Sequence, residues 1–257
     1  IHVPEFDYNA LSETDKYIYD HYTVPYNVEV VYRWNQGDVS SDDMRKNLVP
    51  PRESQVEPFL EMIDKVWMDT YTAEVGQQTL RSYIPKQLLL VGSASYNDDG
   101  STTEGTAEGG RQIVLYSVND FNFELEQIQS YAHVMHHEFA HILHQNVEYD
   151  AEFEKITPSY SSSWMQMNDE TARSKGFITA YASSSADEDF AEMVSIMLTN
   201  SPEDWDNMRE NAGNAAAVEA LRKKEDIVVA YMKNNWGVNM KDFQKEVVAA
   251  IKAAVRN

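Results

Sequence analysis

Between Phe123 and Asn146 the chain carries neither glycine nor proline, and Ile128, Tyr131, Ala132, Met135, Phe139, Ile142 and Leu143 recur at three- and four-residue spacing. That periodicity predicts one long helix with an apolar, core-facing side. His137-Glu138-Phe139-Ala140-His141 lies within it as H-E-x-x-H. Two histidines four apart project from one helix face on successive turns, so both imidazoles can reach a single ion. Glu138 is rotated by about a quarter of a turn and stands beside such an ion without having to ligate it. Nitrogen ligands with no thiolate suit zinc, which lowers the pKa of a bound water and leaves a neighbouring carboxylate to take its proton. The plainer alternative is a histidine-rich helix whose rings are merely buried and hydrogen-bonded. Against it, an unpartnered His-Glu-His cluster inside a core-facing helix would be costly to bury.

A catalytic zinc takes three protein ligands and keeps one position open. Five of the 7 histidines lie between 133 and 144, so His133, His136 and His144 are the near candidates. His133 and His144 fall on the side of the motif, but each is about 4.5 to 6 Å along the axis from its nearer histidine. Three ligands on consecutive turns do not easily converge on one small ion, and His136 points off the face. Outer-partner, structural or solvent-facing roles therefore fit these three better. The extension H-E-x-x-H-x-x-G-x-x-H fails as well, because position 144 is histidine and position 147 is valine.

Asp187-Glu188-Asp189-Phe190-Ala191-Glu192-Met193 is the better source. Glu188 and Glu192 share a helix face, flanked by apolar Phe190, Val194 and Met197, and two such acids need a cation or donors nearby. A divalent ion for one and a histidine N–H for the other would satisfy both. Ser185-Ala186-Asp187-Glu188 is also a capping-box pattern, so Glu188 could simply cap its own helix. Tyr181, seven residues before Glu188, could donate to a developing oxyanion or could be packing; Tyr160 is a weaker competitor for the same role.

The rest of the chain sets bounds. A length of 257 residues with 42% hydrophobic residues fits one large domain or two apposed lobes. A net charge of -21 with no basic stripe argues against nucleic acid and against adsorption to anionic lipid. Cysteine is absent, which excludes disulfides and thiolate metal sites. No apolar run reaches membrane-spanning length, and Ile1-His2-Val3-Pro4 does not read as a signal peptide.

Periodicity predicts a helix around Glu13–Tyr22 capped by Ser12, and a strand over Asn27–Trp34. A loop follows over Asp38–Asn47, then a helix over Glu57–Tyr71 with Pro58 in its first turn. Gln87–Val91 and Arg111–Val118 read as strands around a long loop at 92–110. There Asn97-Asp98-Asp99-Gly100 fails the EF-hand pattern and reads as a solvated hairpin. The second strand, just before the motif helix, is a candidate for pairing with an extended peptide. Residues 147–180 look irregular, with one short helix. Glu188–Leu198 looks helical behind the Ser183-Ser184-Ser185 cap, and the tail from Pro202 to Arg256 reads as two or three helices.

His137-Glu138-Phe139-Ala140-His141-Ile142-Leu143-His144-Gln145, with Phe177-Ile178-Thr179-Ala180-Tyr181-Ala182 and Glu188-Asp189-Phe190-Ala191-Glu192, resembles the zinc metallohydrolase lipoproteins associated with substrate import. Asp15-Lys16-Tyr17-Ile18-Tyr19 and Pro25-Tyr26-Asn27-Val28-Glu29-Val30-Val31-Tyr32-Arg33-Trp34 resemble that family's N-terminal signature. The family belongs to Gram-negative bacteria and to loci encoding outer-membrane nutrient importers.

The resemblance implies an α+β, zincin-like fold of gluzincin type, with a small mixed sheet on the active-site helix and a helical C-terminal subdomain. It implies one catalytic Zn2+ held by His137, His141 and Glu188, with Glu138 as general base, Glu192 as an outer partner of the ligands, and support for Tyr181. Residues 1–146 would form an α+β lobe and 147–257 a mainly helical lobe carrying the third ligand, together one catalytic unit. The expected function is zinc-dependent peptide-bond hydrolysis in the cell envelope, by an outer-membrane-anchored or secreted protein. Its expected partners are a peptide or protein substrate and a nutrient importer. The family's lipid-attachment cysteine is missing from this chain. The rival readings are a surface capture protein with structural zinc and a zinc amidase or hydrolase acting on a non-peptide bond.

Overall fold

The computed structural model describes residues 6–35, 47–96, 102–103, 105–108 and 111–256. Ile1–Pro4, most of the expected loop at Asp38–Asn47 and the Asn97–Gly100 turn lie outside them. The chain forms two compact units, one from residues 1–62 and 77–122 and the other from 63–76 and 123–257. The architecture is α+β, as expected.

In the first unit, strands β1 (Glu29–Val31), β2 (Gln87–Leu90), β3 (Ser95–Tyr96), β4 (Thr102–Thr103), β5 (Gly105–Glu108) and β6 (Gln112–Leu115) form two sheets. The larger is mixed, in the order β1-β2-β6-β5, with β1, β2 and β6 parallel and β5 antiparallel to β6. Strands β3 and β4 pair separately. Leu88, Leu89 and Leu90 of β2 and Ile113, Val114 and Leu115 of β6 are all buried, so both faces are covered, as the unbroken apolar runs require. Trp34, Leu48, Val91 and Tyr116 pack over Leu89 and Val114, and the Trp34 indole donates to the Leu90 carbonyl at 2.8 Å. At Gly92 an added Cβ would come within 2.6 Å of the Pro50 carbonyl, so only glycine fits this approach of two chain segments.

Three expectations need correction here. The strand at 27–34 shrinks to β1, because Asn27 takes a left-handed conformation at the end of the preceding helical turn. The loop at 92–110 contains β3, β4 and β5, short strands rich in serine, threonine and glycine that lack an alternating apolar pattern. The strand before the motif helix is paired on both sides, by β2 and β5, and offers no free edge to a peptide; among the described residues the sheet's edges are β1 and β5. Ser12 does cap the helix beginning at Glu13, its hydroxyl accepting from the Asp15 amide at 3.1 Å.

The helix expected from Glu57 begins at Glu53, and Pro58 lies inside it. Proline cannot serve the carbonyl four residues back, but that carbonyl belongs to exposed Ser54, where water can serve it. In the second unit a π turn at Asp64–Met68 leads into a helix over Asp69–Val75, which ends at Gly76 with φ 80°.

The second unit is built on two helices, Leu125–Asn146 and Ala186–Thr199, which pack along each other. Helix Met240–Ala254 packs on Ala186–Thr199, and rings of Trp67, Tyr71 and Phe243 enclose Phe139 and His136 of the motif helix. Phe190 anchors the other side against Tyr149, Phe153 and Tyr231. The tail gives the three helices Pro202–Glu210, Ala215–Trp236 and Met240–Ala254, capped by Ser201, Asn214 and Asn239. The stretch 147–180 holds three short helical pieces rather than one: Glu152–Ile156, Trp164–Gln166 and Asp169–Arg173. Among the described residues no helix is long and apolar enough to cross a membrane.

Candidate metal centre

Helix Leu125–Asn146 carries His137 and His141 on successive turns, and Glu188 approaches them from the first turn of helix Ala186–Thr199. His137 Nε2 stands 3.0 Å from Glu188 Oε2 and 3.1 Å from His141 Nε2, and His141 Nε2 stands 3.1 Å from the same Glu188 oxygen. Tetrahedral zinc with bonds of about 2.0–2.1 Å separates its ligand atoms by about 3.3 Å. The three atoms therefore form a triangle of nearly the right size, with the donor types zinc prefers.

The capping alternative for Glu188 resolves into a division of labour. The Ser185 hydroxyl accepts from the Glu188 amide at 3.3 Å and caps the helix, while the Glu188 carboxylate goes to the histidines.

Electrostatics point the same way. Burial would raise the Glu188 carboxyl, but His137 and His141 hold it down at about 2. Burial would lower His137, but Glu188 and Glu192 push it up to about 10. Two carboxylates thus favour a positive charge at this place, and the raised His137 imidazole answers to it. A cation fits what the residues lack.

Glu192 stands behind the triangle. Its Oε1 lies 2.8 Å from His137 Nδ1 and 3.0 Å from His133 Nε2, and its Oε2 accepts from the Thr179 hydroxyl at 2.6 Å. His133, His137 and Glu192 could group around a cation of their own. Glu192 already sits at ion-pair distance from both rings, which fits a carboxylate that orients a metal-binding histidine. His144 Nε2 meets His141 Nδ1 at 2.9 Å, again on the outer nitrogen of a ligand candidate. Neither Glu192 nor His144 joins the Nε2–Nε2–Oε2 triangle. His136 faces away into the core, where its Nε2–H donates to the Val66 carbonyl at 3.1 Å.

Glu138 is half-buried beside the triangle. Burial raises its carboxyl, opposed by the charges of His137 and His141. The Tyr181 ring lies 5.8 Å from that of His137 and 4.9 Å from that of Trp164. Burial and the charge of Glu188 raise its phenol, so it stays protonated and able to donate. Tyr160 is engaged elsewhere: its hydroxyl donates to Asp189 Oδ2 at 3.1 Å, in a buried cluster with Lys224. Thr179 is the participant the sequence reading missed. Its only local signal is its place in the run Phe177–Ala182.

The comparisons with known proteins point to zinc binding. Residues 8–241 match the model of a family described as "Putative zinc-binding metallo-peptidase". A solved structure described in the same words, from Bacteroides caccae ATCC 43185, is 32% identical, covers 95% of each chain and superposes with a TM-score of 0.81. No curated protein matches the chain. With a family model spanning nearly its whole length, the chain belongs to this family of zinc-binding metallo-peptidases.

Proposed function

We propose that this protein is a zinc-dependent peptidase in which His137, His141 and Glu188 hold one zinc ion and Glu138 is the general base. The observation that carries the reading is the triangle of His137 Nε2, His141 Nε2 and Glu188 Oε2, with Glu138 next to it and not part of it. Zinc, when bound, supplies a Lewis acid that brings a water molecule close to ionisation at neutral pH. Glu138 takes the proton of the attacking water and passes it to the leaving amine, and its raised carboxyl suits a group that must both accept and release. The Tyr181 O–H donates to the oxygen on which negative charge develops. Glu192 holds the His137 ring in place from its other nitrogen.

The sequence resemblance supports placing the protein at the bacterial cell envelope, working with an outer-membrane nutrient importer on peptide or protein substrates. The test is cleavage of a mixed peptide library by the zinc-loaded chain beside a chelated control. Cleavage lost on chelation is the expected result and would also reveal the side-chain preference. No cleavage by a chain that holds zinc tightly would favour substrate capture or hydrolysis of a non-peptide bond.

A further inference from the structure

Tyr181 sits in a single 3-10 turn, Tyr181–Ser183, and 38% of its surface is exposed. The phenol is hydrogen-bonded to Glu188 and its ring lies against His137 and Trp164, so its register at the centre depends on how the backbone of this short turn is held. Two tethers fasten the turn to neighbouring chain segments. The Ala180 amide donates to Asp169 Oδ1 at 2.8 Å, and the Ser183 carbonyl accepts from the Ser161 amide at 2.8 Å. A third is different in kind. The Thr179 hydroxyl donates to Glu192 Oε2 at 2.6 Å and accepts from the Ala182 amide at 3.1 Å.

A carboxylate can only accept, so the single hydroxyl hydrogen is committed to Glu192 and the oxygen's lone pairs remain for Ala182. The other oxygen of Glu192 lies 2.8 Å from His137 Nδ1, and Glu192 is 3% exposed, so this ion-pair contact is shielded from water. One hydroxyl therefore links the residue after Tyr181 to the carboxylate that touches a ligand histidine. We infer that Thr179 is a positioning residue that sets the Tyr181 phenol relative to His137. The inference rests on the peptidase reading, in which Tyr181 acts on the developing oxyanion.

The test uses the full zinc-loaded chain with Thr179→Val, Thr179→Ser, Tyr181→Phe and the Val/Phe double variant. Valine keeps the shape and removes both hydrogen bonds, whereas serine restores the hydroxyl. For Thr179→Val the expected result is retained zinc, an unchanged KM and a kcat lower by about 10–100-fold. Serine should recover most of the rate, and in the Tyr181→Phe background valine should cost nothing further. Independently of turnover, labelling with 3-fluorotyrosine gives a 19F resonance for Tyr181, assigned by its loss in Tyr181→Phe. It should shift or broaden in Thr179→Val and return in Thr179→Ser.

An equal loss of kcat with and without Tyr181, or an unmoved resonance, would overturn the inference. A wild-type chain that cleaves nothing would overturn the peptidase reading instead. The tether would then stand or fall on the resonance.

Discussion

His137 Nδ1 lies 2.8 Å from Glu192 Oε1, across the ring from the nitrogen that meets Glu188 and His141. The two residues come from different helices, Leu125–Asn146 and Ala186–Thr199, whose packing brings the pair together. A carboxylate in this position selects the tautomer that presents Nε2 to a metal and makes that nitrogen a stronger donor.

Glu192→Gln should therefore weaken zinc binding without removing a ligand. The expected loss is about 10–100-fold in affinity, read by competition with a chelator of known strength. An unchanged affinity would leave Glu192 with no part in the centre.

Lys224 and Asp189 are both fully buried, with Nζ 2.5 Å from Oδ2, and Lys224 also donates to the Gly176 carbonyl at 2.8 Å. Its ammonium sits 4.4 Å from the centre of the Phe177 ring. Burial pushes Asp189 up to about 6, against the pull of Lys224 and Tyr160, and lowers Lys224. Lys224→Met strands the acid and should cost about 3–5 kcal/mol of stability. Adding Asp189→Asn should recover much of that loss. Urea unfolding of the wild type and both variants checks these statements: a Lys224→Met chain as stable as the wild type would contradict the first, and a double variant no more stable than the single one would contradict the second.

His136 should make the protein sensitive to acid. Burial lowers its pKa to about 3, despite the hydrogen bond to the Val66 carbonyl, against about 6.5 in the unfolded chain. Between those values the unfolded chain binds a proton that the folded chain refuses, so stability rises with pH across this window. The contribution is complete above about 6.5 and is lost as pH falls towards 3. Unfolding of the metal-free chain at pH 7 and pH 5 should show a smaller difference in His136→Phe than in the wild type. An identical difference would show that this imidazole is not held neutral.

The centre was legible where its parts are local. Helical spacing alone places His137 and His141 together and turns Glu138 aside, and the same spacing marks Glu188 and Glu192 on one face. At Glu188 the residues favour ligation, because two acids among Phe190, Val194 and Met197 need a cation or donors nearby, but the capping-box pattern keeps a second reading open. Ser185 does the capping through its own hydroxyl, so the two readings never competed. The contacts of His133 with Glu192, His144 with His141 and Thr179 with Glu192 depend on how two helices and a turn meet, and no periodicity encodes that.

In the first unit, short strands such as β5 carry too few apolar residues to show a period. The helix at Glu53 starts earlier than Pro58 suggests, because an exposed carbonyl tolerates the missing bond. The buried Lys224–Asp189 pair was invisible for a related reason: both residues look like ordinary surface charges in a strongly acidic chain.

The most direct test of the whole scheme is Glu138→Gln, with zinc content and peptide turnover measured on the same preparation. Glutamine keeps the size of the side chain and leaves His137, His141 and Glu188 in place, but it cannot take a proton. The expected result is one zinc per chain, as in the wild type, with turnover lower by about 10²–10⁴-fold. Cleavage at the wild-type rate by the zinc-loaded variant would contradict the assignment of Glu138 as the base.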